Sequence, residues 1–176
     1  MTDQEIARLV QCRVFTWTET QTLEYLASLA RKSDIIVESG TYMGASAFAM
    51  MSAAKPTAHM WCIDKFPVAG TEFVTRRNLT WWIERGQLEI ITGDSERGAQ
   101  MLSHMRGKVD LIFVDDGHAE EDVMRDIRCL QPLLKPGGVM VGHDFDVPYN
   151  DVARGVIQSG IKYTVPVPRL WRYDQV

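Results

Sequence analysis

The segment Ile35-Ile36-Val37-Glu38-Ser39-Gly40-Thr41-Tyr42-Met43-Gly44-Ala45-Ser46 constrains the fold of this chain more than any other. A β-branched run ends in a carboxylate, a glycine turn follows, and a second glycine opens an apolar stretch. Strand, tight loop and helix N-terminus in this order are where α/β proteins hold nucleotide-like ligands. The glycine spacing narrows the ligand. A dinucleotide fingerprint needs G-x-G-x-x-G, and Ser39 and Tyr42 stand where further glycines are expected. A phosphate-cradling loop needs Gly-Lys-Ser/Thr, which is absent. Gly40 lets the backbone approach a ligand and suits a positive φ. Glu38 is placed either to reach a ligand's ammonium, directly or through water, or to act only as a capping acid.

With 176 residues the chain fits one domain, residues 1–176, and is long enough to bury a full α/β core. A net charge of −4 argues against a bulk nucleic-acid surface. The N-terminus carries acids and no apolar core, so it does not read as a signal peptide, and the run Ala45 to Ala54 is too short to span a bilayer. Cys12, Cys62 and Cys129 are widely spaced without CxxC, which suits reduced thiols in a cytoplasmic protein, and the short apolar run leads us to expect no membrane association.

In chain order, Ile6, Leu9 and Val10 predict a short helix over 3–12, and residues 1–20 as a whole read as an N-terminal helical cap or lid. Thr18 or Thr20 is expected to cap a helix from Gln21 to Arg31. The first strand (35–38) leads to a small-residue helix over 46–54. The second strand (58–63) ends in Asp64, and an acid about 20 residues past the glycine loop suits a ribose diol. Phe66 can lie beside the ligand, and a helix is expected within 70–82. The third strand (87–92) precedes Asp94 and Ser95, which either face an adenine ring or cap the helix 96–105. The fourth strand (109–114) ends in Asp115-Asp116-Gly117-His118, and a helix runs from Ala119 to Leu130. The fifth strand (139–142) ends in His143-Asp144. A last helix (150–157) and two strands (161–165 and 170–173) suggest a closing antiparallel hairpin. The fold class is α/β: a Rossmann-like, mostly parallel seven-stranded sheet with helices on both faces.

Glu38-x-Gly40-x-x-x-Gly44 resembles motif I of the class I S-adenosylmethionine (SAM)-dependent methyltransferases. Asp115-Asp116-Gly117-His118, Leu134-Lys135-Pro136-Gly137-Gly138 and His143-Asp144-Phe145 resemble the narrower methyltransferase family 24 pattern, which is similar to macrocin-type and catechol-type O-methyltransferases. The resemblance covers about residues 22–160. It implies that SAM is held by Glu38, Gly40, Thr41, Tyr42, Gly44 and Ser46, by Asp64 and Lys65, by Asp94 and Ser95, and by Asp115. One departure stands out. Many relatives read Asp-Gly-Asp-His where this chain reads Asp-Asp-Gly-His, so the acid beside His118 is missing or displaced to Asp116.

Methyl transfer to an alcohol needs an aligned hydroxyl whose proton can leave. His118, with an ordinary pKa near ~6.5, suits proton removal, and Asp115 is the second candidate catalytic residue. A divalent cation held by Asp115 and Asp144, with His143 or water completing the shell, would lower the hydroxyl's pKa. Carboxylate ligation favours Mg²⁺, and a His143 ligand tilts towards Mn²⁺. The expected partner is a small-molecule or sugar acceptor. Trp17, Phe66, Trp81 and Tyr149 are candidates for an aromatic pocket, although such residues more often pack in core or rim. Few residues beyond 1–20 and 66–75 remain for a substrate lid, which leaves room for a homo-oligomer whose second subunit completes the site or for a site left open to a large substrate. Two alternatives stay open: an NAD-dependent oxidoreductase, and a non-catalytic SAM-binding or partner module on the same fold.

Overall fold

The structure, a computed structural model, describes residues 1–146 and 151–176. Helix α1 (Asp3–Arg13) starts with a capping box, in which the Thr2 hydroxyl accepts the Glu5 N–H at 3.2 Å and the Glu5 carboxylate accepts that of Thr2 at 2.8 Å. Helix α2 (Thr20–Ala30) departs from expectation. Its cap position is held by Glu19, not by Thr18 or Thr20, and the Glu19 side chain makes no cap bond. That carboxylate is drawn away by charged partners across the molecule.

Five strands pair in parallel: β1 (Ile35–Ser39), β2 (His59–Asp64), β3 (Leu88–Thr92), β4 (Val109–Val114) and β5 (Leu134–Phe145). Two more, β6 (Tyr163–Val167) and β7 (Arg169–Asp174), form the hairpin, and β7 pairs antiparallel with β5. The sheet order among the described residues is β3-β2-β1-β4-β5-β7-β6, the expected seven-stranded architecture. Crossover helices α3 (Ala45–Ala53), α4 (Thr71–Ile83), α5 (Ser95–Met101) and α6 (Glu120–Leu130) link the parallel strands, and α7 (Asp151–Gln158) precedes β6. The expected first residue of that last helix, Asn150, and the aromatic candidate Tyr149 lie outside the described residues. No helix among the described residues is long and apolar enough to cross a membrane.

The central strands are apolar along most of their length because both faces are covered. Side chains alternate across the sheet. Ile36, Leu111 and Phe113 pack with Leu26, Met50 and Leu79 on the face of α2, α3 and α4. Val37, Ile112 and Val114 pack with Val123, Ile127 and Val156 on the face of α6 and α7. Helix α1 adds an outer layer, with Ile6 and Val10 against Leu23, Ala27 and Ala49. Two elements differ from expectation. The helix over 96–105 breaks into α5 and a tight 3-10 turn, Ser103–Met105. Strand β5 begins at Leu134, and the Lys135–Gly138 turn bulges from its ladder with β4.

The chain leaves β1 for β2 on one side, and β4 sits on β1's other side. That reversal opens a crevice beyond the carboxyl ends of β1 and β4, which is where open α/β sheets bind ligands.

Candidate active site

A cavity of about 270 Å³ occupies this crevice. Its floor comes from the loops after β1, β2 and β4 and from the carboxyl end of β5, and its wall from Phe15 to Thr18 between α1 and α2. Gly40, Thr41, Tyr42, Ser46, Asp64, Asp115, His118, His143 and Asp144, all sequence candidates, line it together.

The glycine loop is built by crossing backbones. Gly40 has a φ of +90°, its N–H donates to Ile63 O at 2.8 Å, and the next strand's Asp115 N–H donates to Ser39 O at 2.7 Å. Gly44, with a φ of +85°, begins α3 against the Leu79 side chain. Asp64 holds the loop from β2: its two carboxylate oxygens accept the N–H groups of Tyr42 (2.7 Å) and Phe66 (2.6 Å). Each oxygen keeps a second lone pair for a ligand hydroxyl. From α4, the Thr75 hydroxyl donates to Tyr42 O, and the Asn78 amide donates to Met43 O at 2.9 Å.

The ends of β4 and β5 bring acids and imidazoles together. His118 Nε2 is 2.8 Å from Asp144 Oδ2. His143 is buried, with Nε2 2.7 Å from Glu19 Oε2 and Nδ1 3.6 Å from Asp115 Oδ1 and 3.4 Å from Asp144 Oδ1. Burial opposes charge on that ring, but the Asp144 hydrogen bond and the Asp115 charge outweigh it and push His143 up to about 9. Asp115 is pushed up to about 7, chiefly by burial, with His143 opposing and the Asp144 charge adding. The hydrogen bond from His118, then that from His143, holds Asp144 well below the usual carboxylate range. The same Asp144 bond raises His118. Ligand atoms of Asp115, His118 and Asp144 lie within 4.8 Å of one another. Two carboxylates and an imidazole at that separation suit a divalent cation.

Other candidates sit behind or beside the cavity. Glu38 is fully buried under the loop, accepts a hydrogen bond from the Ser46 hydroxyl, and is pushed up to about 7 by burial. Asp94 is the N-cap of α5, accepting the Arg97 N–H at 2.9 Å. The buried Ser95 hydroxyl donates to Asp126 Oδ1 at 2.5 Å. Lys65 Nζ pairs with Asp116 at 3.1 Å. The displaced acid of the Asp-Asp-Gly-His run therefore serves Lys65, and the acid facing His118 is Asp144. Of the aromatic candidates, Trp17 lines the cavity and stacks on Tyr42, with centroids 5.3 Å apart. Trp81 instead carries the Arg85 guanidinium over its ring at 3.2 Å, and Phe66 borders the lining residue Pro67.

Two residues of the site carry no motif. Glu19 bridges His143 and Arg169, and Arg169 bridges Glu19 (2.6 Å) and Asp144. Backbone strain does single out Arg169. Among the described residues the non-glycine positions with left-handed φ are Tyr42, Phe66, Asp144 and Arg169, and all lie in or beside this cavity.

The profile of a family described as Methyltransferase domain matches residues 37–145. Among curated proteins no sequence matches. The solved structure of a putative caffeoyl-CoA O-methyltransferase from Staphylococcus aureus superposes with a TM-score of 0.72 at 21% identity, covering 100% of this chain and 93% of that one. A putative O-methyltransferase from Klebsiella pneumoniae gives a TM-score of 0.72 at 16% identity over 98% and 88% of the two chains. An O-methyltransferase from Bacillus cereus, solved in complex with SAH, gives 0.70 at 15% over 99% and 90%. At these identities the likeness establishes the fold.

Proposed function

Because this chain belongs to the methyltransferase-domain family, and with it to the SAM-dependent methyltransferases, we propose that it transfers the methyl group of SAM to a hydroxyl oxygen of a small-molecule or sugar acceptor. The nicotinamide alternative falls with that membership. The observation that carries the O-methyl reading is the His118–Asp144 contact at 2.8 Å, facing the same cavity as the glycine loop and Asp64. The description of its structural neighbours as O-methyltransferases supports it.

Gly40, Thr41, Tyr42 and Ser46 would cradle the donor's methionine end, and Asp64 would accept from its ribose hydroxyls. Glu38 braces the loop from beneath through Ser46. Gly44, as the left-handed residue that opens α3, sets the loop's path. The acceptor hydroxyl would lie between His118 and the wall of Phe15 and Trp17. A carboxylate only accepts, so the Asp144 contact places a hydrogen on His118 Nε2 and leaves Nδ1 to take the acceptor's proton. The displacement itself is in line, and orientation by the wall and loop supplies much of its rate.

Asp115 and Asp144 are the residues that would hold Mg²⁺ or Mn²⁺, with a neutral His143 or water completing the shell. Such an ion supplies charge that lowers the acceptor hydroxyl's pKa and orients it. The reading further places the enzyme in the cytoplasm, as its three free cysteines suit, with residues 1–176 as one domain.

Calorimetry with SAH and a radiolabelled-SAM assay over hydroxylated acceptors, with and without EDTA, test these assignments. SAH binding without turnover on any acceptor favours a non-catalytic binding module. Absence of SAH binding removes the reading altogether.

A further inference from the structure

We propose that Arg169 is a built-in counter-cation of the site, mutually exclusive with a divalent ion at Asp144, and that Glu19 is the carboxylate that retains it when the ion enters. The inference rests on the methyltransferase reading only in that Asp144 belongs to the reaction site.

Arg169 opens β7, directly opposite Phe145 in the β5–β7 ladder. Its Nη2 donates to Asp144 Oδ1, and its Nη1 donates to Glu19 Oε1 at 2.6 Å. The other Asp144 oxygen faces His118. Among the described residues, Arg169 from β7, His118 from the loop after β4 and His143 beside it on β5 meet this carboxylate. An ion approaching Oδ1 meets the guanidinium first. The guanidinium already on that oxygen repels an incoming cation and stands in its approach, so entry of the ion at Oδ1 displaces it.

Leaving is made easy by Glu19. A guanidinium carries several donors in a fixed fork, so Arg169 keeps its Glu19 bond after releasing Asp144. Glu19 is a positioning residue in the same sense on its other oxygen, where it holds the His143 ring at 2.7 Å. The left-handed φ of Arg169 (+62°) and of Asp144 (+55°) aims both side chains at this meeting point against ordinary backbone preference.

The test uses Mn²⁺ as the probe and the full chain without acceptor. Binding is read by electron paramagnetic resonance of free Mn²⁺. Arg169→Met keeps the aliphatic stem and removes the charge. It is expected to tighten Mn²⁺ roughly tenfold or more, because the competent, guanidinium-free state is no longer a minor population. Asp144→Asn should abolish that gain. Arg172→Met, the same charge change further along β7, should leave affinity nearly unaltered. Arg169→Gln serves if the methionine variant does not fold. Unchanged or weaker Mn²⁺ binding in the Arg169 variants overturns the proposal, as does equal tightening by Arg172→Met. SAH calorimetry on the same preparations separates the two readings. SAH binding with unaltered Mn²⁺ affinity sinks this inference alone, whereas loss of SAH binding in wild type sinks the methyltransferase reading.

Discussion

Gly40 lies flat against the peptide that joins Asp115 to Asp116. A Cβ built on Gly40 would overlap the Asp115 carbonyl and come within 2.5 Å of the Asp116 nitrogen, and the residue's φ of +90° already excludes most side chains. The loop that would cradle the donor and the loop that carries the candidate base are therefore one packed unit. Gly40→Ala should separate them, at a cost of roughly 2–4 kcal/mol in folding stability. Urea denaturation reads this directly, and SAH affinity should fall with it. An unaltered unfolding midpoint would show that the two loops yield without penalty.

Much of this unit was legible in the sequence, for local reasons. Gly40 and Gly44 announce backbone shapes that depend on their own φ, and the apolar runs ending in Glu38, Asp64 and Asp115 announce strands with charged tips. Glu19 and Arg169 announced nothing. Their contact spans 150 residues, and it exists because the β5–β7 pairing brings Arg169 to the cavity rim beneath the start of α2. The same long-range pull explains why Glu19, at the cap position of α2, gives its side chain to His143 and not to the helix. At Asp94 and Ser95 two uses were open from the sequence, and in the structure their side chains serve Arg97 N–H and Asp126.

Asp64 should prove the more sensitive of the strand-end acids for donor binding. Its oxygens hold the glycine loop through the Tyr42 and Phe66 amides, so a neutral amide in its place both loosens the loop and leaves one N–H facing another. Charge-assisted hydrogen bonds of this kind contribute roughly 1.5–3 kcal/mol. Asp64→Asn is expected to weaken SAH by about 10- to 100-fold in calorimetry. Equal affinity would take the ribose contact away from this residue.

Asp126 gives a prediction about pH. Burial, the largest influence, pushes its carboxyl up to about 6 from an ordinary 3.8, despite the Ser95 hydrogen bond. Between those two values the folded protein holds a proton that the unfolded chain has released. Stability from this group is therefore full below about 4 and is lost as pH rises through about 6. Asp126→Asn, which carries no charge to bury, should be relatively more stable than wild type at pH 7.5 than at pH 4.5, by on the order of 1–3 kcal/mol. Thermal unfolding of both proteins across that range checks the sign. A difference that stays constant with pH would mean that Asp126 titrates normally in the fold.

His118 is the residue on which the proposed chemistry depends most directly. Its ring is largely exposed to the cavity and is fixed at one edge by Asp144 Oδ2, so the opposite nitrogen is free to meet an acceptor hydroxyl. Among the described residues no hydrogen bond joins the His118 side chain to the glycine loop or to Asp64. Removing the imidazole should therefore spare donor binding and strike the proton transfer. His118→Ala is expected to lower kcat by about 10²- to 10⁴-fold, the usual range for a lost general base, while SAH affinity stays nearly that of wild type. His118→Gln, which can still donate to Asp144 but cannot accept a proton at neutral pH, should be as poor as alanine. If glutamine restores turnover, the ring acts by holding Asp144 in place and the proton leaves by another route. If both variants turn over normally, the 2.8 Å contact is structural and the base lies elsewhere in the cavity.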